Sequence, residues 1–92
     1  MALVYLYVDE NFSGSSLGLR STQNDLSDFT NGIGFNWNDE TSSIRVVSGT
    51  WEFFEHVNHD GARMTLGPGD YPNMHNFPVK DNELSSIKLI SE

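Results

Sequence analysis

Two short stretches of this chain offer the same oxygen chemistry in the same order. The first is Asn38-Asp39-Glu40-Thr41-Ser42-Ser43, and 43 positions later the chain reads Asp81-Asn82-Glu83-Leu84-Ser85-Ser86. Each begins with two amide or carboxylate side chains, has glutamate third and ends on two hydroxyls. Neither contains a thiol or an imidazole. Such a donor set suits a hard cation such as Ca²⁺, which takes six to eight oxygens at roughly 2.3–2.6 Å. One loop supplies about four of them. These are the side chains of the leading pair, Asn38 and Asp39 or Asp81 and Asn82, a backbone carbonyl at Glu40 or Glu83, and the hydroxyl of Ser42 or Ser85. The remainder must come from water or from another loop. A lone run of six polar residues between apolar segments is ordinarily a solvated turn, and it is the repetition in frame that argues for a site. Ser43 and Ser86 open the apolar runs that follow, where a hydroxyl is suited to capping the loop rather than holding a metal.

The repetition extends well beyond the loops. Tyr7 aligns on Phe54, Gly14 on Gly61, Leu17 on Met64 and Leu19 on Leu66, all at an offset of 47. The offset shrinks to 45 where Phe29 meets Met74 and to 43 at the polar loops, so the first half carries two small insertions. Residues 3–48 and 49–91 therefore read as two copies of one unit, with only Ser48-Gly49-Thr50 as a turn between them. One domain of two motifs, spanning residues 1–92, is the expected organisation.

Within each copy the apolar runs are short, β-branched or aromatic, and bounded by Gly, Asn, Asp and Ser, the signature of strands. Strands are expected at 3–8, 16–19, 43–47, 51–57, 62–66 and 86–90, with weaker ones at 33–36 and 77–79. Single helical turns are expected within 24–29 and 71–75, and a turn at Gly67-Pro68-Gly69-Asp70. No helical period is sustained over eleven residues. Eight short strands in a self-similar chain of this length imply an all-β, two-sheet antiparallel sandwich of two four-stranded Greek-key motifs.

Composition bounds the function. The chain has 92 residues, no cysteine, and a formal charge of −8 at neutral pH. A disulfide framework and thiolate metal sites are excluded. The acidic balance argues against nucleic acid or an anionic membrane as partner, because both select basic surfaces. The opening Met-Ala-Leu-Val-Tyr-Leu-Tyr-Val reads as a first strand rather than a signal or a membrane span. No compartment is indicated, and a monomer is expected.

Tyr7-Val8-Asp9-Glu10-Asn11-Phe12-Ser13-Gly14 resembles the aromatic-x4-aromatic-x-Gly signature of βγ-crystallin Greek keys. In that pattern the first hairpin folds over and its first ring packs against the glycine. Phe54-Glu55-His56-Val57-Asn58-His59-Asp60-Gly61 is the second copy and departs from the pattern at His59, which implies a weaker stack. The loops 38–43 and 81–86 resemble the calcium motif of the same family. The likeness covers residues 3–90 and points to a microbial, single-domain, calcium-binding βγ-crystallin. It implies two Ca²⁺ per chain, with each polar loop shared between both ions and a carbonyl from the partner motif's hairpin completing each site. By position that adds the carbonyls of Val8 and Glu55 to those of Glu40 and Glu83. With only one or two formal negative ligands per ion, micromolar or weaker affinity is expected.

Other chemistry is poorly supported. His56 and His59 do not converge on a zinc geometry and His75 is remote. Gly67-Pro68-Gly69-Asp70 lacks the lysine and following helix of a phosphate loop. No nucleophile elbow or paired base is present, so no catalytic residue and no enzyme is expected. Trp51, Phe53, Phe54 and Tyr71 read as core. Two function classes remain: a calcium-responsive structural or stress protein whose fold depends on its ions, or an interaction protein, such as a protease inhibitor or a surface- or sugar-binding module. The second would need an exposed apolar patch, for which Phe29, Ile33, Phe35 and Trp37 are the candidates.

Overall fold

The computed structural model describes residues 2–29, 37–75, 77–80 and 83–92. The strand expected at 33–36 and the loop residues Asp81 and Asn82 lie outside the described residues. Seven strands form: β1 (Leu3–Asp9), β2 (Ser13–Leu19), β3 (Ser43–Ser48), β4 (Thr50–His56), β5 (Asp60–Leu66), β6 (Gly69–Tyr71) and β7 (Ser86–Ser91). Period two is their cause. In β1, Val4 and Leu6 are fully buried while Leu3, Tyr5 and Tyr7 face outward half-exposed, and in β4, Trp51 and Phe53 point into the core. Two 3-10 turns, Glu10–Phe12 and Leu26–Asp28, are the only helical segments among the described residues. The second falls within the turn expected at 24–29. Asp25 caps it, and the Ser27 hydroxyl and amide that donate to its carboxylate hold that group below the usual carboxylate range.

The strands make two antiparallel sheets, ordered β2-β1-β3-β6 and β5-β4-β7. β6 comes from the second half of the chain yet pairs with β3 of the first, Ile44 opposite Tyr71 and Val46 opposite Gly69. This exchange locks the two halves into one core. Residues 69–71 thus extend where only a turn was expected, and no helical turn forms among the described residues 71–75. The Tyr71 hydroxyl donates to the Gly67 carbonyl at 2.8 Å, closing the corner before β6. Residues 77–79 form bends instead of the expected weak strand. They pack rather than pair: Val79 is fully buried, and the Phe77 ring meets Tyr71 edge-on at 5.9 Å. The outer edge of β7 is covered by residues 22–26. Gln23 and Ile87 exchange amide–carbonyl bonds at 3.0 Å in both directions, and Leu89 donates its amide to the Thr22 hydroxyl.

The two folded hairpins repeat one another in backbone angles. Asn11, Phe12 and Gly14 have φ of 58°, 60° and 75°, and Asn58, His59 and Gly61 have 58°, 60° and 80°. Only glycine adopts the left-handed region freely, so Gly14 and Gly61 are fixed by φ. A β-carbon at Gly14 would meet the Asp9 carboxylate and one at Gly61 the His56 ring. The first ring of each hairpin meets the second aromatic position, Tyr7 on Phe12 at 5.5 Å and Phe54 on His59 at 5.1 Å. His59 also places Nε2 3.0 Å from the Ile87 carbonyl, so the imidazole replaces part of the missing ring contact by a polar one. Each hairpin tip is pinned by the opposite motif, Asn11 N–H to the Pro72 carbonyl and Asn58 N–H to the Asn24 carbonyl, both at 2.8 Å.

Candidate metal centre

The first polar loop turns at Asp39, which takes φ of 61°, a left-handed conformation that short polar side chains tolerate. Its amide donates to the Leu84 carbonyl at 2.9 Å, so the two loops are joined backbone to backbone. Side chains complete the junction. Ser85 Oγ donates to Asp39 Oδ1 at 3.0 Å and lies 3.4 Å from the Glu83 carbonyl oxygen, while Asn38 Nδ2 donates to Asp39 Oδ2 at 3.2 Å. The loops face a cleft of about 340 Å³ lined by Asn38, Asp39, Glu55, His56, Val57, Glu83 and Ser85.

Of the ten residues expected to hold metal, the cleft brings together Asn38, Asp39, Glu55, Glu83 and Ser85. The carboxylates of the two glutamates are engaged elsewhere. Glu83 Oε1 accepts from the Lys80 amide at 3.1 Å, and Glu55 Oε1 accepts from the Ala62 amide at 3.3 Å and faces His56 Nε2 at 3.5 Å. One oxygen of each carboxylate is occupied in this way. Glu55 sits at the register shift of the β4–β5 ladder between Phe54 and His56, where an irregular residue is re-aimed away from the strand partner.

Val8, Glu40 and Ser42 are not part of that cleft's lining. Val8 lies at the matching register shift between Tyr7 and Asp9, and the Ser42 amide donates to the Tyr7 carbonyl at 2.8 Å, holding the first loop against the first hairpin. Glu40 follows Asp39 half-buried. Their expected companions Asp81 and Asn82 lie outside the described residues.

Donor chemistry tests the fit. Oxygens bound to one Ca²⁺ at about 2.4 Å lie roughly 3 Å from one another, and Ser85 Oγ stands 3.0 Å from Asp39 Oδ1 and 3.4 Å from Glu83 O. Among the described residues no group of three or more His, Cys, Asp or Glu side chains could hold a metal. A cation in this cleft would therefore depend on carbonyls and hydroxyls around one carboxylate, a hard-cation set. His56 and Val57 line the cleft although nothing in their types marked them; their place in the hairpin next to Glu55 was the only available signal. Phe29 and Trp37, offered as an exposed patch, instead serve the core: Trp37 is 6% exposed and Phe29 packs half-buried against the interior.

The beta/gamma crystallin family profile matches residues 3–90. The chain belongs to the βγ-crystallin family. This βγ-crystallin is 41% identical over 88 residues to the beta/gamma-crystallin of Ciona intestinalis, covering 96% of the chain and 98% of that protein. The Ciona structure superposes with a TM-score of 0.80 at 40% identity, over 95% of this chain and 98% of that one. A betagamma-crystallin from an archaeon gives 0.80 at 37% identity, over 97% and 98%. A clostrillin double mutant in complex with nickel gives 0.73 at 27% identity, over 95% of each chain. These βγ-crystallins share with this one the sandwich of two antiparallel sheets. No helix among its described residues is long and apolar enough to cross a membrane.

Proposed function

We propose that this βγ-crystallin is a calcium-binding domain with two Ca²⁺ sites, whose folding and stability depend on the ions, and that it serves as a calcium-responsive structural or stress protein. The observation that carries this reading is the Ser85–Asp39 contact beside the Glu83 carbonyl, an oxygen cluster assembled from both motifs. One site uses the Asp39 carboxylate, the Ser85 hydroxyl, and the carbonyls of Glu83 and Glu55, with Asn38 orienting Asp39. Its pseudo-symmetric mate uses Asn82, Ser42, Glu40 and Val8, with Asp81 in the place of Asn38. Waters complete each shell. The ion supplies charge neutralisation and a cross-link between motifs; the protein supplies oxygens at fixed spacing.

Because ligands are exchanged, each ion ties one motif to the other. Two ions lower the formal charge from −8 to −4, relieving self-repulsion in the compact state. Mg²⁺ is a poor substitute, since it demands tight octahedral geometry and sheds water reluctantly. Circular dichroism during calcium titration of chelator-treated protein tests the proposal. β-sheet signal should grow with calcium and saturate, and a spectrum unchanged from chelator to excess calcium would contradict calcium-dependent folding.

A further inference from the structure

Ser43 and Ser86 are fully buried and stand immediately after the hydroxyls assigned to metal. Their own hydroxyls point to the folded hairpins, and they do so identically. Ser43 Oγ donates to the Asp9 carbonyl at 2.7 Å and accepts from the Phe12 amide at 3.1 Å. Ser86 Oγ donates to the His56 carbonyl at 2.6 Å and accepts from the His59 amide at 3.1 Å. Each hydroxyl thus spans the hairpin tip, from the carbonyl just after Val8 or Glu55 to the left-handed residue that ends the turn.

We infer that Ser43 and Ser86 are positioning residues that set calcium affinity by fixing the Val8 and Glu55 carbonyls. This rests on the calcium reading above and adds to it a cause for the coupling between loop and hairpin. Val8 and Glu55 lie at ladder irregularities, so strand pairing alone does not aim their carbonyls. The peptide that follows each one is held by the serine. Phe12 and His59 adopt φ of 60°, unfavourable for bulky side chains, and the amide of each is the group its serine accepts from. Adjacent residues of one strand then touch both ends of the site: Ser85 enters the oxygen cluster and Ser86 grips the hairpin that carries Glu55. A cation pulling on Glu55 tightens the hairpin through Ser86, and a loosened hairpin withdraws a ligand. Loss of a group that orients a metal ligand typically weakens metal binding about 10–100-fold.

The test is calcium titration of Ser43→Ala and Ser86→Ala, followed by calorimetry and by amide chemical shifts. Glu55 and Glu83 report the Asp39 cleft, and Val8 and Ser42 report its mate. Ser86→Ala should weaken the cleft about tenfold or more and spare the mate; Ser43→Ala should do the reverse. Wild-type affinity at both sites, or equal loss at both, would overturn the inference, since a general packing defect acts on the whole fold. If a variant does not fold, the wild-type chain decides. At one equivalent of calcium, one of the Phe12 and His59 amides should gain hydrogen-exchange protection ahead of the other, and equal protection would overturn the inference. A wild-type chain whose shifts ignore calcium would defeat the calcium reading itself, a different failure.

Discussion

Ser85 and Asp39, 46 residues apart in the chain, share a 3.0 Å hydrogen bond between hydroxyl and carboxylate. It is a point where the two motifs exchange polar side chains. Asp39 leaves its own loop to face the oxygens of the other. The position equivalent to Asp39 in the second loop is Asn82, so on the proposed reading one site has a carboxylate where its mate has an amide.

That asymmetry sets an order of affinity. The cleft with Asp39 should be the tighter site, because affinity follows the count of charged ligands. Asp39→Asn should weaken it about tenfold or more, and Asn82→Asp should strengthen its mate. Two-site calorimetry reads both; an Asp39→Asn variant binding as tightly as wild type would place the carboxylate outside the shell. Ser85→Arg and Ser42→Arg each remove a hydroxyl and insert a cation; each should weaken at least one site, and both if the loops clamp the ions jointly.

Trp37 should report binding. It is buried immediately before the first loop, whereas Trp51 is fully buried in β4 with its indole N–H on the Ser48 carbonyl at 3.1 Å. Trp37→Phe should remove most of a local fluorescence change on calcium addition. A change that survives Trp37→Phe and vanishes with Trp51→Phe would mean that binding repacks the core.

Thr41 is a liability inside the first loop. Its side chain is fully buried, its Oγ1 has no hydrogen-bond partner among the described residues, and the equivalent residue Leu84 is apolar and fully buried. A buried unsatisfied hydroxyl costs about 1–3 kcal/mol. Thr41→Val keeps the shape and removes the hydroxyl, so the calcium-loaded chain should gain about 1 kcal/mol, or roughly 4–8 °C in melting temperature. A lower melting temperature would show that the hydroxyl is bonded in solution.

Coupled folding follows from magnitudes. A domain of this size retains about 5–10 kcal/mol at best. Each site adds about 2.7 kcal/mol when free calcium is a hundredfold above its dissociation constant, so two add roughly 5 kcal/mol. In excess chelator the chain should be largely unfolded or molten, with collapsed amide dispersion in NMR spectra. Dispersed signals and a sharp thermal transition in chelator would instead show a fold that stands without its ions.

What the sequence made legible is what short-range pattern controls. The alternation of Val4 and Leu6, the glycines at 14 and 61 and the paired polar loops each carry their signal within a few residues. β6 was hidden because Gly69-Asp70-Tyr71 is short and glycine-led. It extends only because β3 offers an edge from the other half of the chain, and Arg45 anchors Asp70 there at 2.9 Å. Residues 77–79 show the converse. Phe77 and Val79 have strand-like types, but burial against the core takes them and leaves no ladder partner in the described residues. In the site, residue types named the oxygens of Asp39, Glu83 and Ser85. The neighbours His56 and Val57, and the tethers from Ser43 and Ser86, depend on how a hairpin folds over, which spacing alone does not disclose.

On the proposed reading, the two polar loops bind two calcium ions by exchanging ligands across the pseudo-twofold. Calorimetric titration of Ca²⁺ into chelator-treated wild-type protein tests it most directly. Two ions per chain in unequal steps, the tighter one lost in Asp39→Asn, is the predicted result. A stoichiometry of one, or no heat of binding at all, would contradict it.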